Sequence, residues 1–119
     1  MKTTAPLGVG LIGTGRISDL HAIEYLQNPG ARIVALCDRN TMQAQQKAAA
    51  WGLSGVAIDE DIDAFLARPE IDLVEIVLPY SDKVTQQQDG FHGGAMGALA
   101  DIAGGYAALT VAPEGMEVV

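Results

Sequence analysis

The sequence predicts an α/β protein: a three-layer sandwich on a parallel sheet of about five strands, in the order 3-2-1-4-5. Three observations lead there. Apolar, β-prone runs alternate with helix-forming runs across short links, the pattern of right-handed β–α–β crossovers. The first apolar run ends in a glycine turn that opens directly into a helix. Finally, 49% of the 119 residues are hydrophobic while only 5% are aromatic, so an aliphatic core of one domain's size is expected.

Residues 1–6 read as a tail ending at Pro6, and the first strand runs from Leu7 to Ile12. A helix from Ile17 to Gln27 carries its apolar set Ile17, Leu20, Ile23 and Leu26 at helical spacing, with Asp19 and Glu24 on other faces. Asn28-Pro29-Gly30 stops it. The second strand is Ala31 to Cys37. The second helix extends from a Thr41 N-cap to Trp51, is rich in Ala and Gln, and stops at Gly52. Val56 to Ile58 form a short strand, and Asp59 is expected to cap a brief helix from Asp61 to Ala67. The acids Asp59, Glu60, Asp61 and Asp63 then lie where a helix dipole favours them, and no calcium-type loop follows them. A further strand is Ile71 to Pro79. Beyond Tyr80 the composition shifts, with seven of the 14 glycines in the last 39 residues. There a polar stretch, Ser81 to Asp89, leads into a helix from Ala95 to Val111 and a closing strand from Met116 to Val119. Gly97, Gly104 and Gly105 weaken that helix by about 1 kcal/mol each relative to Ala.

The chemistry concentrates at Gly13-Thr14-Gly15-Arg16-Ile17-Ser18. Gly13 permits the tight exit from the strand. Gly15 lets a diphosphate approach the backbone, and the small Ser18 keeps the helix close to the strand. Unpaired N–H groups and the positive dipole end then face an anion. Asp38 follows the second strand about 20 residues on, where a carboxylate can accept the hydroxyls of an adenosine ribose. The competing reading is a plain turn with Asp38 capping the segment at Thr41.

A formal charge of −8 argues against a nucleic-acid partner, but not against a dinucleotide held by backbone N–H groups. The lone Cys37 excludes an intrachain disulfide and a multi-cysteine metal site. No run reaches the ~18 residues of a membrane span and the N-terminus lacks a leader pattern, so a cytoplasmic location is expected. Exposed apolar surface makes a homo-oligomer plausible.

Residues 7–79 resemble the N-terminal nucleotide-binding domain of the glucose–fructose oxidoreductase and inositol dehydrogenase family. The resemblance rests on the glycine motif, His21-Ala22, Cys37-Asp38-Arg39, the Asp59-to-Leu66 segment and the Asp72-to-Pro79 strand. It implies a Rossmann-like fold with NAD or NADP at Gly13, Gly15, Arg16 and Ile17, and Asp38 and Arg39 at the adenosine end. Asp38 favours NAD, while Arg39 could stack on adenine or meet a 2′-phosphate. The family's Glu-Lys-Pro motif and its substrate domain have no counterpart here, and no Lys follows Lys83. Residues 83–119 resemble instead the central helix region of hotdog-fold acyl-CoA thioesterases of the phenylacetate-degradation type. The match lies in Gln87-Gln88-Asp89-Gly90-Phe91-His92-Gly93-Gly94, Ala98-Leu99-Ala100-Asp101, Gly104 to Leu109 and Pro113-Glu114-Gly115. That resemblance implies an oxyanion hole at Gly93 and Gly94 and a nucleophile or general base at Asp101. The two together suggest a chimera joined near residues 80–83, engineered or recombined, whose second part supplies a helix and a strand that complete one Rossmann-like domain over 1–119.

Three functions fit this reading. The first is a dinucleotide-binding module without complete catalysis. The second is thioester hydrolysis through Asp101 with Gly93 and Gly94 in a dimer that rebuilds the missing sheet, and the third is a folding-only chimera with no ligand, stabilised by self-association through the edge strand at its C-terminus. Whether the chain is an enzyme stays open. Outside the cofactor motif the bland readings prevail: His21 is a packed or surface residue with no partner acid at a useful spacing, and His92 is a junction residue. Asp101 is a solvent-facing helix residue, Asp82 and Asp89 are loop solvation, and Tyr80 is a rim aromatic.

Overall fold

The computed structural model describes residues 5–78, 81, 83, 85, 93–109, 113 and 115. Its elements are β1 (Leu7–Ile12), α1 (Ser18–Gln27), β2 (Ala31–Cys37), α2 (Thr41–Ala50), β3 (Ala57–Asp59), α3 (Ile62–Leu66), β4 (Leu73–Ile76) and α4 (Gly93–Leu109). Two compact units divide the chain, residues 1–79 and 80–119.

In the first unit the four strands form one parallel sheet in the order β3-β2-β1-β4, the first four strands of the expected arrangement. The expected fifth strand, Met116 to Val119, lies outside the described residues, as do Tyr80, Asp82, Asp89 and His92. One face of the sheet packs Val9, Leu11, Ile33 and Leu36 against Ala22 of α1 and Ala44 and Ala48 of α2. The other packs Ala35 and Cys37 against Phe65 of α3. Ile33 and Leu36 are three residues apart yet share a face. The β1–β2 register skips Val34, and this extra residue resets the alternation.

Three local expectations are corrected. On α1 the buried residues are Ser18 and Ala22, with Tyr25 half-buried against the same core, whereas Ile17, Leu20, Ile23 and Leu26 are exposed. A helix that starts tight against the glycine turn approaches the sheet too closely for branched side chains, so its small residues go inward. The cap of α2 is Asn40 rather than Thr41, its Oδ1 accepting from Gln43 N–H. The cap of α3 is Asp61 rather than Asp59, its Oδ1 accepting from Ala64 N–H. Asp59 ends β3 instead, and Arg68 donates to both of its carboxylate oxygens, at 2.6 and 2.9 Å.

In the second unit α4 is a continuous helix through Gly97, Gly104 and Gly105, present from Gly93, two residues before the predicted start, while the predicted end at Val111 lies outside the described residues. No helix among the described residues is long and apolar enough to cross a membrane.

Candidate functional site: the turn between β1 and α1

Strand β1 ends at Ile12, and the chain reverses through Gly13 with φ +93°, a region that disfavours any side chain. A Cβ there would lie 2.7 Å from the Val77 carbonyl oxygen. Gly13 N–H donates to the Cys37 carbonyl at 2.8 Å, so this amide is committed inside the fold. Thr14 is fully buried. Its N–H and its hydroxyl both donate to Asp38 Oδ2, at 2.8 and 2.7 Å, and Asp38 Oδ1 accepts from Asn40 N–H. Burial alone would raise the Asp38 carboxyl. The hydrogen bonds from Asn40 and Thr14, together with the Arg39 cation, outweigh it and hold the group below its ordinary value.

Gly15 has a different character. Its φ is unremarkable, and no described residue lies within 4 Å of where its Cβ would be. The fold therefore does not demand glycine here, and the absent side chain leaves open space. The N–H groups of Gly15, Arg16 and Ile17 find no acceptor among the described residues, while their carbonyls accept from α1. Ser18 N–H and Ser18 Oγ donate to the Gly15 carbonyl, Asp19 N–H to that of Arg16, and Leu20 N–H to that of Ile17. Three consecutive donors without an acceptor among the described residues, at the start of a ten-residue helix and beside open space at Gly15, suit a phosphate-bearing ligand. Arg16, Ile17 and Arg39 are exposed.

The sequence reading thus named Gly13, Gly15, Arg16, Ile17, Asp38 and Arg39, and the structure collects the glycine-turn residues and Asp38 at one corner. Two contributors went unread. One is Thr14, the residue through which Asp38 grips the turn. The other is Gln43 of α2, whose Nε2 donates to the Thr14 carbonyl at 2.7 Å. Their signal was the placement of a hydroxyl inside the glycine motif and of a long amide in the first turn of the next helix. His21, read as lacking a partner, pairs through Nδ1 with Glu75 of β4, which also accepts from the Tyr25 hydroxyl. Its partner is 54 residues away, beyond any local pattern. On α4, Gly93, Gly94 and Asp101 are exposed. Among the described residues no three His, Cys, Asp or Glu side chains gather as a metal site.

Parallel strands in the order 3-2-1-4, with a glycine turn feeding a helix between the first two, define a dinucleotide-binding domain of Rossmann type. A family model described as "oxidoreductase family, NAD-binding Rossmann fold" matches residues 7–95, and the chain belongs to that family. The match runs past residues 80–83 and takes in Gly93 and Gly94. The D-glucoside 3-dehydrogenase of Escherichia coli K12 is 33% identical over 78 residues, covering 65% of this chain and 22% of that protein. The myo-inositol dehydrogenase of Lactobacillus casei, solved with NAD(H) and myo-inositol, is 30% identical with a TM-score of 0.55, over 65% of this chain and 23% of that one. KijD10, a 3-ketoreductase of Actinomadura kijaniata solved with NADP and TDP-benzene, is 25% identical with a TM-score of 0.56, over 63% and 22%. The chain thus spans about a fifth of the length of these relatives.

Proposed function

We propose that residues 7–79 hold an NAD or NADP molecule for oxidoreductase chemistry, with the diphosphate against the N–H groups of Gly15, Arg16 and Ile17. Gly13 shapes the turn, and Asp38 and Arg39 stand at the adenosine end. The observation that carries this reading is the open space at Gly15 beside three donors that find no acceptor among the described residues. When bound, such a cofactor supplies a hydride acceptor or donor. The chain's own part is to grip the diphosphate and to orient the ribose.

NAD is the favoured form because a carboxylate at the end of β2 disfavours a 2′-phosphate. Arg39, exposed beside it, supports residual NADP binding. The relatives named for a glucoside and for inositol make a polyhydroxylated ring the proposed substrate class of the complete enzyme.

Calorimetric titration with NAD⁺ and NADP⁺, on the wild type and on Gly15→Val, tests the reading. Binding by the wild type with NAD⁺ ahead, and its loss in Gly15→Val, supports it; equal affinity in both proteins refutes it. None of the relatives described above is a thioesterase. The finer reading, a chimera with thioester hydrolysis through Asp101, Gly93 and Gly94, therefore stands on its residue pattern alone. Acyl-CoA turnover abolished by Asp101→Asn would establish it over dinucleotide binding.

A further inference from the structure

We propose that Gln43 is a positioning residue for the diphosphate cradle, acting through the Thr14–Gly15 peptide bond; this rests on the dinucleotide reading above. The three unpaired N–H groups each belong to a peptide whose carbonyl is anchored on the protein side. In a trans peptide the carbonyl and the N–H point in opposite directions, and the described chain contains no cis bond. The Arg16–Ile17 peptide is anchored by Asp19 N–H at 3.4 Å, and the Gly15–Arg16 peptide by Ser18 through its N–H and hydroxyl. Both anchors come from α1 itself. The Thr14–Gly15 peptide has no anchor in α1. Its carbonyl accepts from Gln43 Nε2 of α2 at 2.7 Å, which turns Gly15 N–H away from α2.

Gln43 is itself held. Its backbone N–H donates to the Asn40 cap, which fixes the start of α2 relative to Asp38 and Thr14. Asp38 grips the preceding peptide through Thr14 N–H. The two peptide planes flanking Thr14 are thus set by two side chains from beyond the turn. The one on β2's end carries the ribose role as well; the one on α2 acts on the turn alone. Without the carboxamide, the Thr14–Gly15 plane is free to rotate, and the cradle loses the fixed direction of its first donor.

Gln43→Met keeps the length and the apolar stem but removes the donor. Gln43→Glu keeps the shape and puts an acceptor against the carbonyl. Calorimetry of both, with the wild type and Gly15→Val alongside, should use NAD⁺, ADP and adenosine as ligands. The expected result is a loss of about five- to tenfold for NAD⁺ and ADP in Gln43→Met, and at least as much in Gln43→Glu, the scale of one hydrogen bond. Adenosine, which has no phosphate, should bind all four proteins alike, and the Gly15 amide resonance of the ligand-free protein should shift in both Gln43 variants. Unchanged NAD⁺ affinity in a folded Gln43 variant, with Gly15→Val impaired, overturns the proposal and leaves the dinucleotide reading intact. Equal losses for adenosine and NAD⁺ also overturn it, since they mark a general disturbance of α2. A wild type that takes no dinucleotide brings both down.

Discussion

The two ends of β1 are built from the same parts and finish in opposite states. At its start, Gly8 N–H donates to Asp72 Oδ2 and Asp72 N–H donates to the Gly8 carbonyl, both at 2.7 Å. A Cβ on Gly8 would lie 1.9 Å from the Glu70 carbonyl oxygen. At its finish, Asp38 clamps Thr14 through two bonds, but the next three N–H groups find no acceptor among the described residues and Gly15 borders open space. A glycine and an aspartate therefore close the chain at one end and hold it open at the other. A pair of this kind marks a ligand site only where the surrounding donors are left over.

The largest effect expected from breaking this contrast is at Gly8. Gly8→Val drives a side chain into backbone, and urea unfolding should show a loss of about 3 kcal/mol or more. The aspartates come next. Asp72→Ala and Asp38→Ala each strand N–H donors and should cost about 1–3 kcal/mol, with only Asp38→Ala also weakening NAD⁺. Because the folded-state carboxyl of Asp38 is held below its ordinary value of 3.8, its contribution is complete above that pH and is lost as pH falls below it. Acid unfolding of Asp38→Ala should lack that component. Gly15→Val should leave stability within about 0.5 kcal/mol. It should still weaken NAD⁺ at least tenfold, or about 1.4 kcal/mol, reversing the Gly8 pattern. The smallest effect concerns a third cluster, away from both ends. Burial first, and then Glu75, push the Tyr25 phenol up from 10.0 to about 12. The stability it adds is present below pH 10 and fades toward pH 12, and an ultraviolet titration should find one late tyrosine that Glu75→Gln brings earlier.

The order of elements was legible because each depends on neighbours in sequence. β1 and β2 carry the bounds the apolar runs predict, and α1 starts one residue later than its spacing suggests. The helix caps were displaced by one or two residues, since Asn40 and Asp61 win over adjacent candidates only once the strand ends are placed. The inward face of α1 was misread for a similar reason. Its branched apolar residues follow helical periodicity, but the residues buried against the sheet are Ser18 and Ala22, with Tyr25 half-buried beside them. Glu75 beside His21 left no local trace, and Gln43 beside Thr14 showed only as a long amide in the first turn of α2.

What the sequence determined by itself was the βαβ order, the glycine turn and the acid after the second strand. These follow from propensity and periodicity, which act over a few residues. Only the tertiary structure decided which of those groups are already consumed. Gly13 N–H and both oxygens of Asp38 are engaged internally, while the N–H groups of Gly15, Arg16 and Ile17 find no acceptor among the described residues. The direction of a peptide plane depends on what anchors its carbonyl, and for Thr14 that anchor is a side chain 29 residues further on.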